Sequence, residues 1–255
     1  MASWGDLRDE LSRWHDAGEA ATLWWRDDDA ADVTPASERL LGIARNGDVP
    51  VHLAVIPALE TDSLVASLRD SPVAWVLQHG YTHTNYAPPG EGGWEVGAHR
   101  PVATVWHELS KGFRMLEERH DRRFLPILVP PWSRVAPEVL AGLPGLGFRG
   151  VSCSSAKTLP DPVPGLLAIH APCDPIKWKK TQGYFAGTEP SLRKITQHLS
   201  ARRSGRVDVA EPTGLLTHHL AMDEAAWAFM EQLIEQSLAH PGAKWISVGR
   251  LLEDV

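Results

Sequence analysis

Apolar and polar positions form alternating blocks along the chain, and the blocks predict a succession of strands and helices. Apolar residues at intervals of three and four predict a first helix over 3–17, ended by Gly18. Short apolar runs predict strands over 22–26, 50–56, 73–77, 124–129, 148–153, 166–170 and 214–217, and a final short strand or turn over 245–247. The run over 50–56 is nearly all apolar, as expected of a parallel strand buried on both faces. Amphipathic stretches predict helices from Thr34 to about 43 and over 62–69, 102–120, 136–143, 189–203 and 223–239, and a terminal helix after 247.

Polar clusters directly follow several of these strands. Seven or eight strands separated by helices, with polar residues at their carboxyl ends, are typical of a (β/α) barrel. We therefore predict an α/β fold, a distorted barrel of seven to eight mostly parallel strands. The length of 255 residues suits a single barrel domain over 1–255, with 1–20 as an N-terminal packing helix.

Composition excludes several classes of protein. The chain has 25 basic and 32 acidic residues and no basic cluster larger than three, so we expect no nucleic-acid partner. No stretch approaches the roughly 20 apolar residues that cross a bilayer, and the first twenty residues are highly charged. We therefore expect no membrane span, no secretory signal and a cytoplasmic location. Cys153 and Cys173 lie in separate apolar runs and form no disulfide framework.

The first candidate site is the run Asp27-Asp28-Asp29, which follows the apolar Trp24-Trp25 and the cation Arg26. Three adjacent carboxylates repel one another unless a cation or hydrogen bonds offset the repulsion. The run therefore indicates a metal or catalytic site, although a solvated turn with an Asp helix cap is an equally simple interpretation.

The second candidate site is His79-Gly80-Tyr81-Thr82-His83, after the strand predicted at 73–77. Two imidazoles and one carboxylate leave coordination positions open, which is typical of catalytic rather than structural zinc sites. Two loop histidines that only make local hydrogen bonds are the alternative. A long loop over 84–100 follows, because Pro88-Pro89-Gly90 and the glycines after it continue no regular element.

Three further strand ends carry candidate residues. Eleven tryptophans against five phenylalanines are unusual, and indole suits the faces of sugar rings, so Trp132 and Trp178 are the first candidates for ligand contact. Asp174 and the pair His218-His219 complete the set. Each has a simpler alternative: core packing for the tryptophans, a turn before Pro175 for Asp174, and a strand-end pair for the histidines.

Five stretches between residues 23 and 222, in order, resemble the polysaccharide deacetylases, carbohydrate esterase family 4. Arg26 to Ala30 is similar to the family's T-F-D-D-G, which implies Asp28 as the catalytic base and Asp29 as a metal ligand. A shift by one residue would instead make Asp27 the base and Asp28 the ligand. His79 to His83 is similar to H-[ST]-x-x-H and implies two imidazole ligands, with Gly80 replacing the family's hydroxyl residue.

The remaining three stretches imply the rest of the site. Val129 to Arg134 resembles the third motif, R-x-P-x-[GYW], but lacks its arginine, so either Arg134 or Arg26 would orient the base. Asp174 to Trp178 resembles D-x-x-[DS]-W, which implies that Trp178 walls the acyl pocket and Asp174 tunes a neighbouring Arg or His. Leu215 to His218 resembles the fifth motif and implies His218 as general acid. His219 is the alternative, because a one-residue slip on a strand reverses facing.

The resemblance implies a polysaccharide-deacetylase-like barrel that holds a divalent metal, Zn²⁺ first, with Co²⁺, Ni²⁺ or Mn²⁺ as alternatives. The implied activity is hydrolysis of the acetyl group from an N-acetylated sugar or oligosaccharide, or from a related amide. The missing arginine and Gly80 motivate a competing hypothesis, a non-catalytic carbohydrate-binding or regulatory barrel. An amidohydrolase of a small ureide or amide is the third, and the oligomeric state stays open.

Overall fold

The computed structural model describes residues 2–155, 159, 163–179 and 182–253. Within these residues the α-helices are α1 (Trp4–Asp16), α2 (Pro35–Gly47), α3 (Asp62–Arg69), α4 (Val102–His120), α5 (Pro137–Gly142), α6 (Thr188–Arg203) and α7 (Glu224–Leu238). The strands are β1 (Ala21–Ala30), β2 (Val51–Val55), β3 (Ala74–His79), β4 (Phe124–Val129), β5 (Gly150–Val151), β6 (Leu167–Ala168), β7 (Ile176–Lys179), β8 (Gln182–Phe185), β9 (Thr213–Thr217) and β10 (Ala243–Trp245).

One curled sheet of eight strands forms the centre of the molecule, and every strand pair in it is parallel. Its order is β10-β1-β2-β3-β4-β5-β6, and β9 also pairs with β1. A parallel bridge between Cys173 and Leu215 brings the chain beyond β6 against β9. The two ends of the sheet therefore approach each other, and the predicted α/β barrel fold is confirmed as a curled half-barrel surrounded by helices.

The barrel strands bring the predicted polar clusters to one edge. In a parallel sheet all carboxyl ends meet at the same rim, so the residues after β1, β3, β4 and β9 become neighbours. Beneath this rim the core of the described residues is apolar and consists of three clusters, and α1 belongs to the largest through buried Leu7, Leu11 and Trp14. None of the described helices is both long and apolar enough to cross a membrane.

The structure differs from the predicted elements at four places. The strands predicted over 148–153 and 166–170 shrink to two residues each, although Ile169 and Ala171 still donate backbone hydrogen bonds to Val151 and Cys153. Residues 176–179 and 182–185 pair as the two antiparallel strands of a hairpin that the sequence did not predict. The terminal helix is a 3₁₀ helix, Val248–Leu252. Residues 160–162, in the Pro-rich stretch between the strands predicted over 148–153 and 166–170, lie outside the described residues, as does Lys180.

Candidate metal centre and active site

Three adjacent carboxylates of β1 have three different environments. Asp27 is fully buried, and its Oδ2 accepts hydrogen bonds from the Thr217 hydroxyl at 2.6 Å and the His219 backbone N–H at 3.0 Å. The ring nitrogen Nδ1 of His219 lies 2.5 Å from its other oxygen. Asp27 and His219 therefore form a buried pair that ties β1 to the end of β9.

Asp28 pairs with Arg26, whose side chain is fully buried. Arg26 Nε lies 2.8 Å from Asp28 Oδ1, and Nη2 donates to Oδ2 at 3.0 Å. Arg26 Nη1 also donates to the Ser152 hydroxyl at 2.7 Å, which fixes the guanidinium from behind. Arg26, and not Arg134, is thus the arginine that orients this carboxylate.

Asp29 lies beside both histidines of the second candidate site. Its Oδ1 is 3.1 Å from His79 Nε2 and 3.3 Å from His83 Nε2. Nδ1 of His79 lies 2.9 Å from the Val129 carbonyl oxygen. Because a carbonyl oxygen only accepts, Nδ1 carries a proton, so Nε2 is the ring nitrogen that faces Asp29 and can bind either a shared proton or a metal ion.

The ligand atoms of Asp29, His79 and His83 all lie within 4.8 Å of one another. One carboxylate oxygen and two imidazole nitrogens are a donor set that Zn²⁺ and similar divalent ions accept, and three protein ligands leave positions open for water and substrate. The backbone bond to His79 supplies the outer contact that fixes a metal-binding imidazole. The residues present therefore fit a divalent ion.

The charges in this cluster compensate one another. Burial alone would raise the pKa of Asp29, but the hydrogen bond from His79 and the neighbouring histidine charges hold that pKa far below its usual range. Burial opposes protonation of His79, yet its bond to Asp29 and the charges of Asp28 and Asp29 raise its pKa. Burial, followed by the charge of His79, lowers the pKa of His83. The cluster thus favours a carboxylate anion beside cationic charge.

His218 lines the same cavity as these ligands. Its ring packs edge-on against Trp178 with centroids 4.9 Å apart, and its Nδ1 has no hydrogen-bond partner among the described residues. His219 is buried against Asp27 instead. Of the two adjacent histidines, His218 is the one that can reach a substrate.

A cavity of about 530 Å³ joins these groups at the rim of the barrel. Its lining includes eight of the twelve predicted site residues: Asp28, Asp29, His79, His83, Trp132, Asp174, Trp178 and His218. Burial raises the pKa of Asp174, whose Oδ1 also accepts from the Ile176 backbone N–H at 2.7 Å. Asp174 therefore both shapes the chain before β7 and lines the site.

Four predicted residues lie outside this lining. Asp27 and His219 form the buried pair below it, and Arg26 lies behind Asp28. Arg134 lies on the far side of Trp132, where its Nη1 donates to the Glu91 carbonyl at 2.7 Å and its guanidinium carbon lies 5.3 Å from the Trp94 ring centroid. It contacts the 84–100 loop, so of the two arginines that the sequence offered, Arg26 is the one that pairs with Asp28.

Backbone strain is concentrated at the site. Four non-glycine residues with positive φ line the cavity: Asp29 at 69°, His83 at 57°, Trp132 at 56° and Ser133 at 55°. Such conformations cost free energy and persist only where the surroundings hold them, as active sites often do. Trp132 is 42% exposed, and its ring centroid lies 4.5 Å from that of His83, so it covers one side of the ligand cluster.

Residues that the sequence did not single out support this geometry. Ser152 fixes Arg26, Thr217 bonds to Asp27, and Ser133 accepts the Ser154 backbone N–H at 2.9 Å. Glu95, buried at 2% exposure in the 84–100 loop, accepts hydrogen bonds from the turn that carries His83. None has a local sequence signal, because each acts across chain separations that only the fold closes.

Sequence comparison finds no protein-family profile and no curated protein that matches the chain. Solved structures do match. A Mycobacterium smegmatis protein, provisionally described as a polysaccharide deacetylase, is 16% identical over 92% of this chain and 89% of its own, with a TM-score of 0.66. The peptidoglycan N-acetylglucosamine deacetylase Bc1960 is 13% identical over 92% of this chain and 89% of its own, with a TM-score of 0.57.

A third similar structure, BA3943 from Bacillus anthracis, is a pseudoenzyme of carbohydrate esterase family 4. It is 16% identical over 91% of this chain and 66% of its own, with a TM-score of 0.56, and a mutant of it has restored activity. Structural matches at identities this low establish the fold alone. Because one of the matching structures is a pseudoenzyme, this fold does not by itself show that the chain is catalytically active. The chain has the polysaccharide deacetylase-like fold.

Proposed function

We propose that this protein is a metal-dependent hydrolase that removes the acetyl group from an N-acetylated sugar or a related amide. The observation that carries the proposal is the convergence of Asp29, His79 and His83 beside a separately oriented carboxylate, Asp28, in one cavity. Asp29, His79 and His83 would hold the ion, most simply Zn²⁺. When bound, such an ion polarises a carbonyl and lowers the pKa of water toward ~7.

Asp28 is proposed as the general base. Arg26 contacts both oxygens of this carboxylate, which fixes its orientation at the cavity. Asp28 takes a proton from the attacking water as the water oxygen bonds to the acetyl carbon. The arginine thus does what the family's missing third-motif arginine would do, which weakens one argument for a non-catalytic barrel.

His218 is proposed as the general acid. An amide anion is a poor leaving group, so the nitrogen needs a proton as the carbon–nitrogen bond breaks. The half-exposed His218 ring, held beside Trp178, supplies it and leaves an amine and acetate as products. Trp132 and Trp178 are 42% and 44% exposed at the cavity, and each offers an indole face to a sugar ring.

Acetate release is the direct test. The metal-loaded protein should release acetate from one or more members of a panel of N-acetylglucosamine oligomers and small N-acetyl amides. A chelator should abolish the activity and added Zn²⁺ should restore it. His218→Gln should lower kcat by roughly 10²–10⁴-fold, the usual contribution of a proton transfer. His15→Gln, an exposed histidine of α1, is the control.

Two outcomes would redirect the proposal. Protein that binds metal and sugars but cleaves no amide would support the non-catalytic carbohydrate-binding barrel. Cleavage of a ureide or small amide, with none of any acetylated sugar, would keep the proposed chemistry and replace the substrate class.

A further inference from the structure

The turn that carries the two candidate histidine ligands is organised by one carboxylate from the long loop. Oε1 of Glu95 accepts backbone hydrogen bonds from Tyr81 at 3.2 Å, Thr82 at 2.6 Å and His83 at 3.1 Å. The Thr82 hydroxyl donates a fourth bond to the same oxygen at 3.0 Å. A buried anion thus closes the turn by binding three consecutive N–H groups.

Gly80 leaves the room that this carboxylate occupies. A Cβ at Gly80 would lie 1.9 Å from Glu95 Oε2 and 2.8 Å from Pro131 Cγ, so no side chain fits beside Glu95. Gly80 also has φ +56°, which glycine adopts without strain. The polysaccharide deacetylases have a hydroxyl residue at the position of Gly80. In this chain the carboxylate of Glu95, fifteen residues later, occupies that space.

We propose that Glu95 is a positioning residue that holds His83 in its metal-binding place, and that Gly80 and Glu95 together replace the hydroxyl of the family's second motif. This inference rests on the proposed metal-dependent function. His79 is fixed separately, by β3 and by its bond to Val129. His83 has a strained backbone at φ 57°, and its own N–H donates to Glu95, as do those of the two residues before it.

Metal affinity is the readout, because a residue that only supported the fold would leave it unchanged. Glu95→Gln keeps the shape of the side chain and removes its charge. Loss of an outer contact of this kind typically weakens metal binding roughly 10–100-fold, so we expect a zinc Kd raised by that factor in chelator competition. The visible spectrum of the Co²⁺-loaded variant should shift as well.

Glu91→Gln is the matched control, since Glu91 lies in the same loop, is 57% exposed and contacts His99 rather than the ligand turn. Its zinc Kd should equal that of the wild type. If Glu95→Gln also binds zinc and Co²⁺ like the wild type, with an unchanged thermal midpoint of the metal-free protein, the inference is overturned.

Thr82→Val keeps the proposal testable if Glu95→Gln does not fold. It removes one of the four bonds to Oε1 and should raise the zinc Kd less than the loss of the charge does. Thr84→Val is its control, because the Thr84 hydroxyl contacts Thr82 and not Glu95. Equal zinc affinity in both threonine variants and the wild type would contradict the inference.

A double-variant cycle tests the pairing of Gly80 with Glu95. Gly80→Ser should weaken zinc binding strongly in the wild type, where the new Cβ collides with the carboxylate, and much less in a Glu95→Ala background. Additive effects of the two substitutions on log Kd would overturn the pairing.

Failure of this inference can be told apart from failure of the proposed function. If the wild type binds no zinc, both fall. If the wild type binds zinc, loses it on His79→Ala and releases acetate, while every Glu95 and Thr82 variant keeps its affinity, only the role of Glu95 is wrong.

Discussion

At the residue scale, three identical and consecutive side chains occupy three different environments because of small backbone differences. A regular strand would place Asp27 and Asp29 on one face and Asp28 on the other. The pairing of β1 with β2 shifts register between Asp27 and Ala30, and Asp29 has φ 69°. This irregularity turns Asp29 toward the histidines, while Asp27 remains with His219 in the core.

Single substitutions of the three carboxylates should separate these functions. Asp29→Asn should abolish zinc binding, because it removes the shared charged ligand. Asp28→Asn should keep the zinc and lower kcat by roughly 10²–10⁴-fold. Asp27→Asn leaves His219 without its buried partner and should lower the free energy of unfolding by about 3 kcal/mol. Zinc titration, acetate release and urea denaturation measure the three effects.

One result of these substitutions would contradict the assignment of Asp29 as the ligand and Asp28 as the base. If Asp28→Asn loses zinc while Asp29→Asn keeps it, the alternative register is correct, with Asp27 as the base and Asp28 as the ligand. The exposed Asp9→Asn on α1 should change none of the three measurements.

The second prediction at this scale concerns Arg26. Lysine keeps the positive charge but cannot contact both oxygens of Asp28 and the Ser152 hydroxyl at once. Misplacement of a catalytic group by about 1 Å can cost about 10²-fold in rate, so Arg26→Lys should lower kcat to that extent at unchanged zinc affinity. Arg134→Lys should leave kcat close to wild type, and the reverse order of the two would assign the orienting role to Arg134.

At the element scale, local signals determined most of the helices. Thr34 caps α2 through a reciprocal bond with Ser37, Pro35 occupies the first turn, and Thr61 caps α3. The bounds predicted for α3, α4 and β4 agree with the structure. Caps and apolar periodicity act within a few residues, so sequence alone reveals them.

Features that depend on distant contacts were not predictable. The shortness of β5 and β6 follows from how the sheet curls toward β9, which no local pattern encodes. The hairpin of β7 and β8 has polar, exposed strands and none of the Asn-Gly or Asp-Gly turns that announce hairpins. The residues that line the cavity follow predicted strands, so the sequence indicated them. Glu95 and Ser152 contact these residues from distant segments, and no local pattern indicated them.

The hairpin of β7 and β8 allows a test of whether Trp178 contacts the substrate. It presents Trp178 to the cavity on one face and Tyr184 to solvent on the other, with both side chains close to half exposed. If Trp178 stacks on a sugar ring, Trp178→Ala should remove about 0.5–1.5 kcal/mol of binding and raise KM about 2–10-fold. Tyr184→Ala should leave KM unchanged. A KM equally raised by both substitutions would indicate a general disturbance of the hairpin.

At the scale of the whole molecule, buried histidines link the stability of the barrel to pH. His52 on β2 is fully buried beneath the site, with Nδ1 2.8 Å from the Trp25 carbonyl oxygen. Its Nε2 accepts the Val248 backbone N–H at 3.2 Å, so the folded protein holds the neutral ring between β1, β2 and the C-terminal segment. Burial lowers the pKa of His52 to about 4. Burial also lowers the pKa of His170 and of His198 to about 4.

The sign of the resulting pH dependence follows from linkage. Between the ordinary pKa of 6.5 and about 4 the unfolded chain protonates His52 and the folded protein does not, so stability falls as pH decreases through this window. Within this window each such group lowers the free energy of unfolding by about 1.4 kcal/mol per pH unit, and above pH 6.5 it has no effect. Urea denaturation of the metal-free protein at several pH values should show this loss, and His52→Gln should reduce its slope by one proton. The exposed His15→Gln should keep the wild-type slope. A His52→Gln slope equal to wild type would mean that the unfolded and folded proteins protonate His52 alike, contrary to the bond that Val248 donates to Nε2.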